Sequence, residues 1–136
     1  MVQKIVSLLV VEDRVVMQKI IRRLLLQLGF ENIDTALNGQ LALNLITQKD
    51  YDLILSDWNM DEMSGFELLK RVRRDKRTAA IPFILITAEA KQANIEAAEM
   101  AGPDGYLIKP FKLKDLKQTV ERVLGPIEVP AQPAGA

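Results

Sequence analysis

Five short apolar runs alternate with five helical segments along this 136-residue chain. The runs are of strand length, and those at 5–11 and 53–55 are almost continuously aliphatic, as in parallel strands that are buried on both faces. The segments between the runs carry apolar residues at helical spacing, for example Met17, Ile20 and Leu24. This alternation predicts an α/β fold in which helices cover both faces of a parallel sheet.

The remaining strands and helices are less uniform. Residues 33–37 are polar enough for an edge strand, whereas Phe83–Thr87 and 106–108 are apolar. The predicted helix at 91–101 is rich in alanine, so it buries little area against the sheet. We therefore expect this helix to dock more weakly than the first helix and to be the mobile element of the fold.

Composition narrows the chemistry that such a fold can carry. Without cysteine or histidine, the chain lacks disulfides, thiol nucleophiles and the side chains that dominate zinc sites and catalytic triads. Eighteen basic residues balance eighteen acidic ones, so no overall field attracts nucleic acid or membranes, and the basic run at 70–77 is expected to be a solvated helix end. We predict one domain over residues 1–124, a disordered tail or linker stub over 125–136, and a cytoplasmic location.

In a parallel sheet, the residues that follow the strands gather at one edge. Here those residues are Glu12, Asp13, Asp57, Thr87 with Ala88, and Lys109. Three carboxylates repel each other unless a cation lies between them, and oxygen ligands favour Mg²⁺. A lysine and a hydroxyl group suit a phosphate beside that cation, and a carboxylate can itself accept a phosphoryl group. Asp57 is the first candidate because it ends the buried run, and Asp13 is also expected to cap the first helix.

These residues stand in stretches that resemble the receiver domains of response regulators, in particular the single-domain chemotaxis regulators. The stretches that carry the resemblance are 9–13 (Leu-Val-Val-Glu-Asp), 28–30, 56–60 (Ser-Asp-Trp-Asn-Met), 64–65, 87–91 (Thr-Ala-Glu-Ala-Lys) and 105–111. Together they span the chain except for its tail. The resemblance implies a flavodoxin-like (βα)5 fold, a three-layer sandwich whose parallel sheet has the strand order 2-1-3-4-5.

The resemblance also implies the role of the acidic residues. Asp57 would take a phosphoryl group from a sensor histidine kinase. Glu12, Asp13, Asp57 and the backbone carbonyl of Asn59 would hold Mg²⁺, and the shorter Asp13 is favoured over Glu12 as a direct ligand. The protein would then be a signalling switch that catalyses only its own phosphorylation and dephosphorylation.

Phosphate binding and switching are implied for residues at the ends of the last two strands. Thr87, Ala88 and Lys109 would bind the phosphoryl group, and the bond from Lys109 to Pro110 would be cis. Thr87 and Tyr106 would move together and alter the face made by the fourth helix, fifth strand and fifth helix. A partner such as a flagellar motor switch protein would bind that face of a monomeric protein.

Two residues of the family's pattern would tune hydrolysis of the phosphoaspartate, namely Asn59 and Glu89. Two others depart from the pattern. Asp61 stands where the family usually has proline, which frees the loop and adds negative charge. Arg14 follows the acidic pair and could pair with Asp61 or Glu62, or reach the phosphoryl group. These departures bear on rates and partners rather than on the phosphoacceptor.

Other functions fit parts of the sequence. A phosphatase of the haloacid-dehalogenase type also uses a strand-end aspartate and Mg²⁺. Such an enzyme needs a second acid where this chain has Asn59, and it needs a cap-domain insertion, which does not follow here. A flavin- or nucleotide-binding module would need a glycine-rich loop after the first strand, which is missing. The chain could also be the receiver module of a larger regulator, or a pseudo-receiver, although its complete residue set argues against the latter.

Overall fold

A five-stranded parallel sheet forms the centre of the protein, whose computed structural model describes residues 5–88 and 102–127. The strands are β1 (Ser7–Val11), β2 (Asn32–Ala36), β3 (Leu53–Asp57), β4 (Phe83–Thr87) and β5 (Gly105–Ile108). They pair in the order β2-β1-β3-β4-β5, and every pair is parallel. The predicted flavodoxin-like order is confirmed, with β2 at an edge and β3 in the middle.

Helices follow the strands as the sequence predicts. They are α1 (Val15–Gln27), α2 (Gly39–Gln48), α3 (Gly65–Arg74) and a C-terminal helix (Leu113–Leu124). None of these helices is long and apolar enough to cross a bilayer. The predicted helix at 91–101, Glu89 and the tail from residue 128 onward lie outside the described residues, so the mobility of that helix and the end of the domain at residue 124 stay predictions.

The sheet separates two hydrophobic cores. On one face, α1 and the C-terminal helix contribute Ile21, Leu25, Leu116 and Val120, all fully buried against the strands. On the other face, α2 and α3 pack against alternate residues of the same strands, with Phe83 at the centre. Because successive side chains of a strand point to opposite faces, an uninterrupted apolar run supplies both cores at once.

Short-range signals set where most of the helices start and stop. The Asn38 side chain accepts a hydrogen bond from the backbone of Leu41 (2.8 Å), and Ser64 accepts one from Glu67 (3.1 Å). Gly29 has φ of +101°, the conformation that ends α1. The expectation that Asp13 caps α1 is wrong.

The residue at the N-cap position of α1 is Arg14, which makes no side-chain capping bond. The helix therefore begins one residue later than a cap at Asp13 would require. This leaves the Asp13 carboxylate available to the strand-end cluster instead of committing it to the first turn of the helix.

Candidate metal and phosphate site

Backbone hydrogen bonds continue the sheet ladder past the ends of three strands. The N–H groups of Glu12, Trp58 and Lys109 donate to the carbonyls of Ala36 (3.0 Å), Ile86 (2.8 Å) and Thr87 (2.8 Å) respectively. The backbone at the ends of these strands is thus hydrogen-bonded to neighbouring strands, so the polar side chains there do not lie on unsupported loops. Rigid support of this kind holds a site in one geometry.

Three carboxylates meet at this edge of the sheet. One oxygen from each of Glu12, Asp13 and Asp57 lies within 4.8 Å of the other two. Glu12 is fully buried and Asp57 is 4% exposed, whereas Asp13 is the most exposed of the three. Burial, with the charge of Asp57, raises the pKa of Glu12, although the Lys109 ammonium opposes this. So close a group of acids favours a bound cation.

The Lys109 ammonium lies between two of these acids. Its Nζ atom is 3.0 Å from Asp57 Oδ1 and 3.4 Å from Glu12 Oε2, and its side chain is only 17% exposed. The other Glu12 oxygen accepts a hydrogen bond from the backbone N–H of Arg14 (3.2 Å). Both oxygens of Glu12 are therefore engaged within the protein.

Asp13, unlike Glu12, has a carboxylate oxygen that accepts no hydrogen bond from the described residues. Its Oδ1 atom is buried, yet no described residue donates a hydrogen bond to it. A buried carboxylate oxygen without a hydrogen-bond donor destabilises the folded protein unless a ligand binds to it. An oxygen-only donor set with one such atom fits a hard divalent cation such as Mg²⁺. The fit favours Asp13 over Glu12 as a direct ligand.

The remaining predicted residues surround this cluster at different depths. Thr87 is buried at the end of β4, and Ala88 beside it is exposed. Tyr106 is half-buried and packs against the core on the α2 and α3 side of the sheet. Asn59 is exposed in the loop after β3. The expected cis bond between Lys109 and Pro110 is confirmed.

Arg14 and Asp61, the two residues that depart from the family's pattern, were candidates for an ion pair. Within the described part of the chain, the exposed Arg14 guanidinium makes no ion pair with Asp61 or Glu62. Asp61 is exposed, and its carbonyl accepts a hydrogen bond from Met63 N–H (2.8 Å). Glu62 between them has φ of +68°, which is strained for a residue with a side chain.

Gly65 is a site residue whose role the sequence pattern does not reveal. A Cβ atom at this position would lie 2.1 Å from the carbonyl oxygen of Asp57 and 3.0 Å from Ser56 Oγ. The Gly65 N–H donates to the Trp58 carbonyl (2.9 Å), and Ser56 Oγ donates to the Asp57 carbonyl (3.0 Å). The start of α3 is thus packed directly on the backbone of Asp57. A glycine just inside a helix start is the only sequence signal for this contact.

The fold and the strand-end cluster define a class of protein. The family model described as the response regulator receiver domain matches residues 8–121, and this chain belongs to that family. Receiver domains of this type are switches in two-component signalling. Membership in the family favours this role over the phosphatase and nucleotide-binding alternatives.

Particular relatives within the family are chemotaxis proteins. The chain is 39% identical over 120 residues to the chemotaxis protein CheY-3 of Vibrio cholerae, covering 88% of this chain and 92% of that one. It is 40% identical over 117 residues to the chemotaxis protein CheY of Pseudomonas aeruginosa, covering 86% and 94%. These alignments span nearly the whole length of both relatives.

Solved structures show the same fold. The chemotaxis protein CheY4 of Vibrio cholerae superposes with a TM-score of 0.83 at 30% identity, covering 89% of this chain and all of that one. The receiver domain of a sensor histidine kinase from Pseudomonas aeruginosa superposes with a TM-score of 0.79 at 31% identity, covering 88% and 98%. That second structure has a magnesium ion coordinated in its active-site cleft.

Proposed function

We propose that Asp57 accepts a phosphoryl group from a phosphohistidine of a sensor kinase, in a reaction that depends on Mg²⁺. The observation that carries the proposal is the position of the Asp57 carboxylate, in contact with Lys109 and within 4.8 Å of Glu12 and Asp13. An Asp57 oxygen attacks phosphorus, and the new O–P bond forms as the N–P bond to the imidazole breaks. The electron pair of the broken bond stays on the imidazole nitrogen.

The acidic residues would hold the cation that this reaction needs. Asp13, Asp57 and the backbone carbonyl of Asn59 would coordinate Mg²⁺, and Glu12 would complete the acidic shell. When bound, Mg²⁺ neutralises charge on the phosphoryl group during transfer. Its own charge would also offset the repulsion among the three carboxylates.

Other strand-end residues would bind the transferred group. The Lys109 ammonium, which pairs with Asp57 at 3.0 Å, would turn to a phosphoryl oxygen as the Asp57 charge is consumed. The Thr87 hydroxyl would donate to a second oxygen beside Ala88. Movement of Thr87 would bring Tyr106 inward, and Asn59 with Glu89 would set how fast water removes the phosphoryl group.

The output of the switch would be binding to a protein partner. Altering Tyr106 would change the face made by the predicted fourth helix, β5 and the C-terminal helix. Because the curated relatives are chemotaxis proteins, a flagellar motor switch protein is the leading partner. The unphosphorylated protein would be a cytoplasmic monomer that receives its signal from a sensor histidine kinase.

Labelling with a small phosphodonor tests the proposal. Wild type should incorporate one phosphoryl group from radiolabelled acetyl phosphate in the presence of Mg²⁺, whereas Asp57→Asn should incorporate none. Asp50→Asn is the matched control, because it removes an exposed carboxylate that precedes β3, at the opposite end of the strand from Asp57. Equal labelling of Asp57→Asn and wild type would overturn the assignment.

The same preparation separates a switch from a phosphatase. A switch is labelled to one equivalent and hydrolyses that label, whereas a phosphatase turns over many equivalents of an added phosphomonoester. Retention of a partner from a cell extract by the phosphorylated wild type, but not by Asp57→Asn, would then identify the output. Sustained turnover of the phosphomonoester would favour the enzyme instead.

A further inference from the structure

Gln18 reaches back from the first turn of α1 to the ends of two strands. Its side-chain amide nitrogen donates to the carbonyl of Ala36 (3.2 Å) and, more weakly, to the carbonyl of Glu12 (3.4 Å). Glu12 N–H donates to the same Ala36 carbonyl (3.0 Å). One half-buried amide group therefore bridges the ends of β1 and β2 at the point where the acidic pair begins.

The turn between β1 and α1 has few other restraints. Arg14, at the N-cap of α1, makes no side-chain capping bond. The backbone N–H of Arg14 bonds to the Glu12 side chain, and Gln18 bonds to the Glu12 carbonyl. That carbonyl belongs to the peptide group that joins Glu12 to Asp13. Fixing this peptide plane fixes the positions of the Asp13 N and Cα atoms, which limits where the Asp13 side chain can lie.

We propose that Gln18 is a positioning residue for the acidic cluster, holding the Glu12–Asp13 peptide so that the Asp13 carboxylate points at the divalent cation. The inference rests on the proposed metal site and adds a residue outside it. Gln18 touches neither the cation nor the phosphoryl group, and it acts through the backbone. The residue that Gln18 positions is Asp13, because the Oδ1 atom of Asp13 is buried without a hydrogen-bond donor among the described residues.

Replacing Gln18 with methionine isolates the amide group. The Gln18→Met side chain has similar length and helix propensity but cannot donate a hydrogen bond. Gln27→Met is the matched control, because Gln27 is exposed on the same helix and lies away from the acidic cluster. Binding of Mn²⁺ is followed by loss of the free-ion electron paramagnetic resonance signal, and Mg²⁺ binding by competition against Mn²⁺.

The expected result is a Kd for either cation that is raised roughly three- to tenfold in Gln18→Met and unchanged in Gln27→Met. Unfolding by urea without metal gives the folded fraction, so that a general loss of stability is not read as weaker binding. A residue with a merely structural role would leave the Kd of the folded protein at its wild-type value. Gln18→Ala replaces the methionine variant if the latter does not fold.

The outcomes separate this inference from the proposal on which it rests. If wild type binds neither cation, the metal site itself fails. If wild type binds and the folded Gln18 variant binds with the same Kd as wild type, the positioning role is overturned while the metal site stands. A Kd raised as much by Gln27→Met as by Gln18→Met would also overturn the positioning role, because the effect would then belong to the helix as a whole.

Discussion

The Lys109 ammonium contacts the Asp57 carboxylate at 3.0 Å, across 52 positions of sequence. The same nitrogen is 3.4 Å from Glu12 Oε2, so one ammonium group pairs with two buried acids. Removing the ammonium group leaves both buried acids without a counter-charge. The loss of one partner of a buried ion pair strongly destabilises the folded state.

We expect Lys109→Met to lower the free energy of unfolding without metal by roughly 1–3 kcal/mol, measured by urea denaturation. Added Mg²⁺ should restore more stability to this variant than to wild type, because the cation replaces the lost charge. Lys114→Met, which removes an exposed lysine nearby, should change stability by less than about 0.5 kcal/mol. Equal stability of the two variants would show that Lys109 is not needed to balance the acids.

Gly65→Ala should disrupt the backbone of Asp57, the proposed phosphoacceptor. The added Cβ would lie 2.1 Å from the Asp57 carbonyl oxygen, so α3 and β3 must separate. We expect a loss of about 1–3 kcal/mol in the free energy of unfolding and slower labelling of Asp57 by acetyl phosphate. Gly105→Ala is the control, since the nearest neighbour of its added Cβ is a side-chain methyl group of Thr119 at 3.2 Å and not a backbone atom. Wild-type labelling in Gly65→Ala would mean that the contact is tolerated.

Arg73 links the end of α3 to the two segments that precede β4 and β5, at the opposite end of the strands from the site. Its guanidinium donates to the carbonyls of Ile81 (2.6 Å) and Gly102 (2.9 Å) and pairs with Asp104 (2.8 Å). We expect Arg73→Lys to lower the free energy of unfolding by about 1–2 kcal/mol, because an ammonium cannot reproduce the planar fork. The exposed Arg74→Lys change should be close to neutral. Matching urea midpoints for the two variants would contradict this.

The cluster of Asp34, Lys49 and Tyr51 should make stability depend on pH at both extremes. Hydrogen bonds from Lys49 (2.7 Å) and Tyr51 (2.7 Å) lower the pKa of Asp34 from its usual 3.8. The folded protein therefore binds this proton less readily than the unfolded chain, so the stabilisation is present above pH 3.8 and is lost as the pH falls below it.

Tyr51 acts at the alkaline end. Burial and the Asp34 carboxylate raise the pKa of the Tyr51 hydroxyl above its usual 10.0, so its contribution is present below that pH and lost above it. Tyr51→Phe should remove the alkaline loss and weaken the acid loss, as followed by urea unfolding across the pH range. Asp50→Asn removes a neighbouring exposed carboxylate and should leave both slopes unchanged. An alkaline slope that survives in Tyr51→Phe would assign it to another group.

Local patterns were enough to predict most of the fold. The apolar runs at 53–55 and Phe83–Thr87 indicated strands buried on both faces, and every residue of β3 and β4 is buried. The strand-end rule then indicated that Asp57 and Lys109 would meet, because parallel strands deliver their last residues to one edge. The strand order came from the family resemblance, since alternation alone does not fix which strands are neighbours.

The contacts that hold the site in place could not be predicted from local patterns. Gly65 and Gln18 act on backbone atoms at the ends of neighbouring strands, and the residues next to them in sequence do not indicate these contacts. Asp13 was expected to cap α1, because a short acid before a helix usually does. The helix instead starts after Arg14, and the acid joins the cluster, so tertiary structure prevailed over a local preference.

β3 is hydrogen-bonded to β1 on one side and to β4 on the other, and Asp57 is its last residue. The proposed phosphoacceptor is therefore carried by a strand whose position is fixed by hydrogen bonds on both sides. We therefore expect substitutions at outward-facing residues of the helices to change partner binding while leaving the burial of Asp57 unchanged.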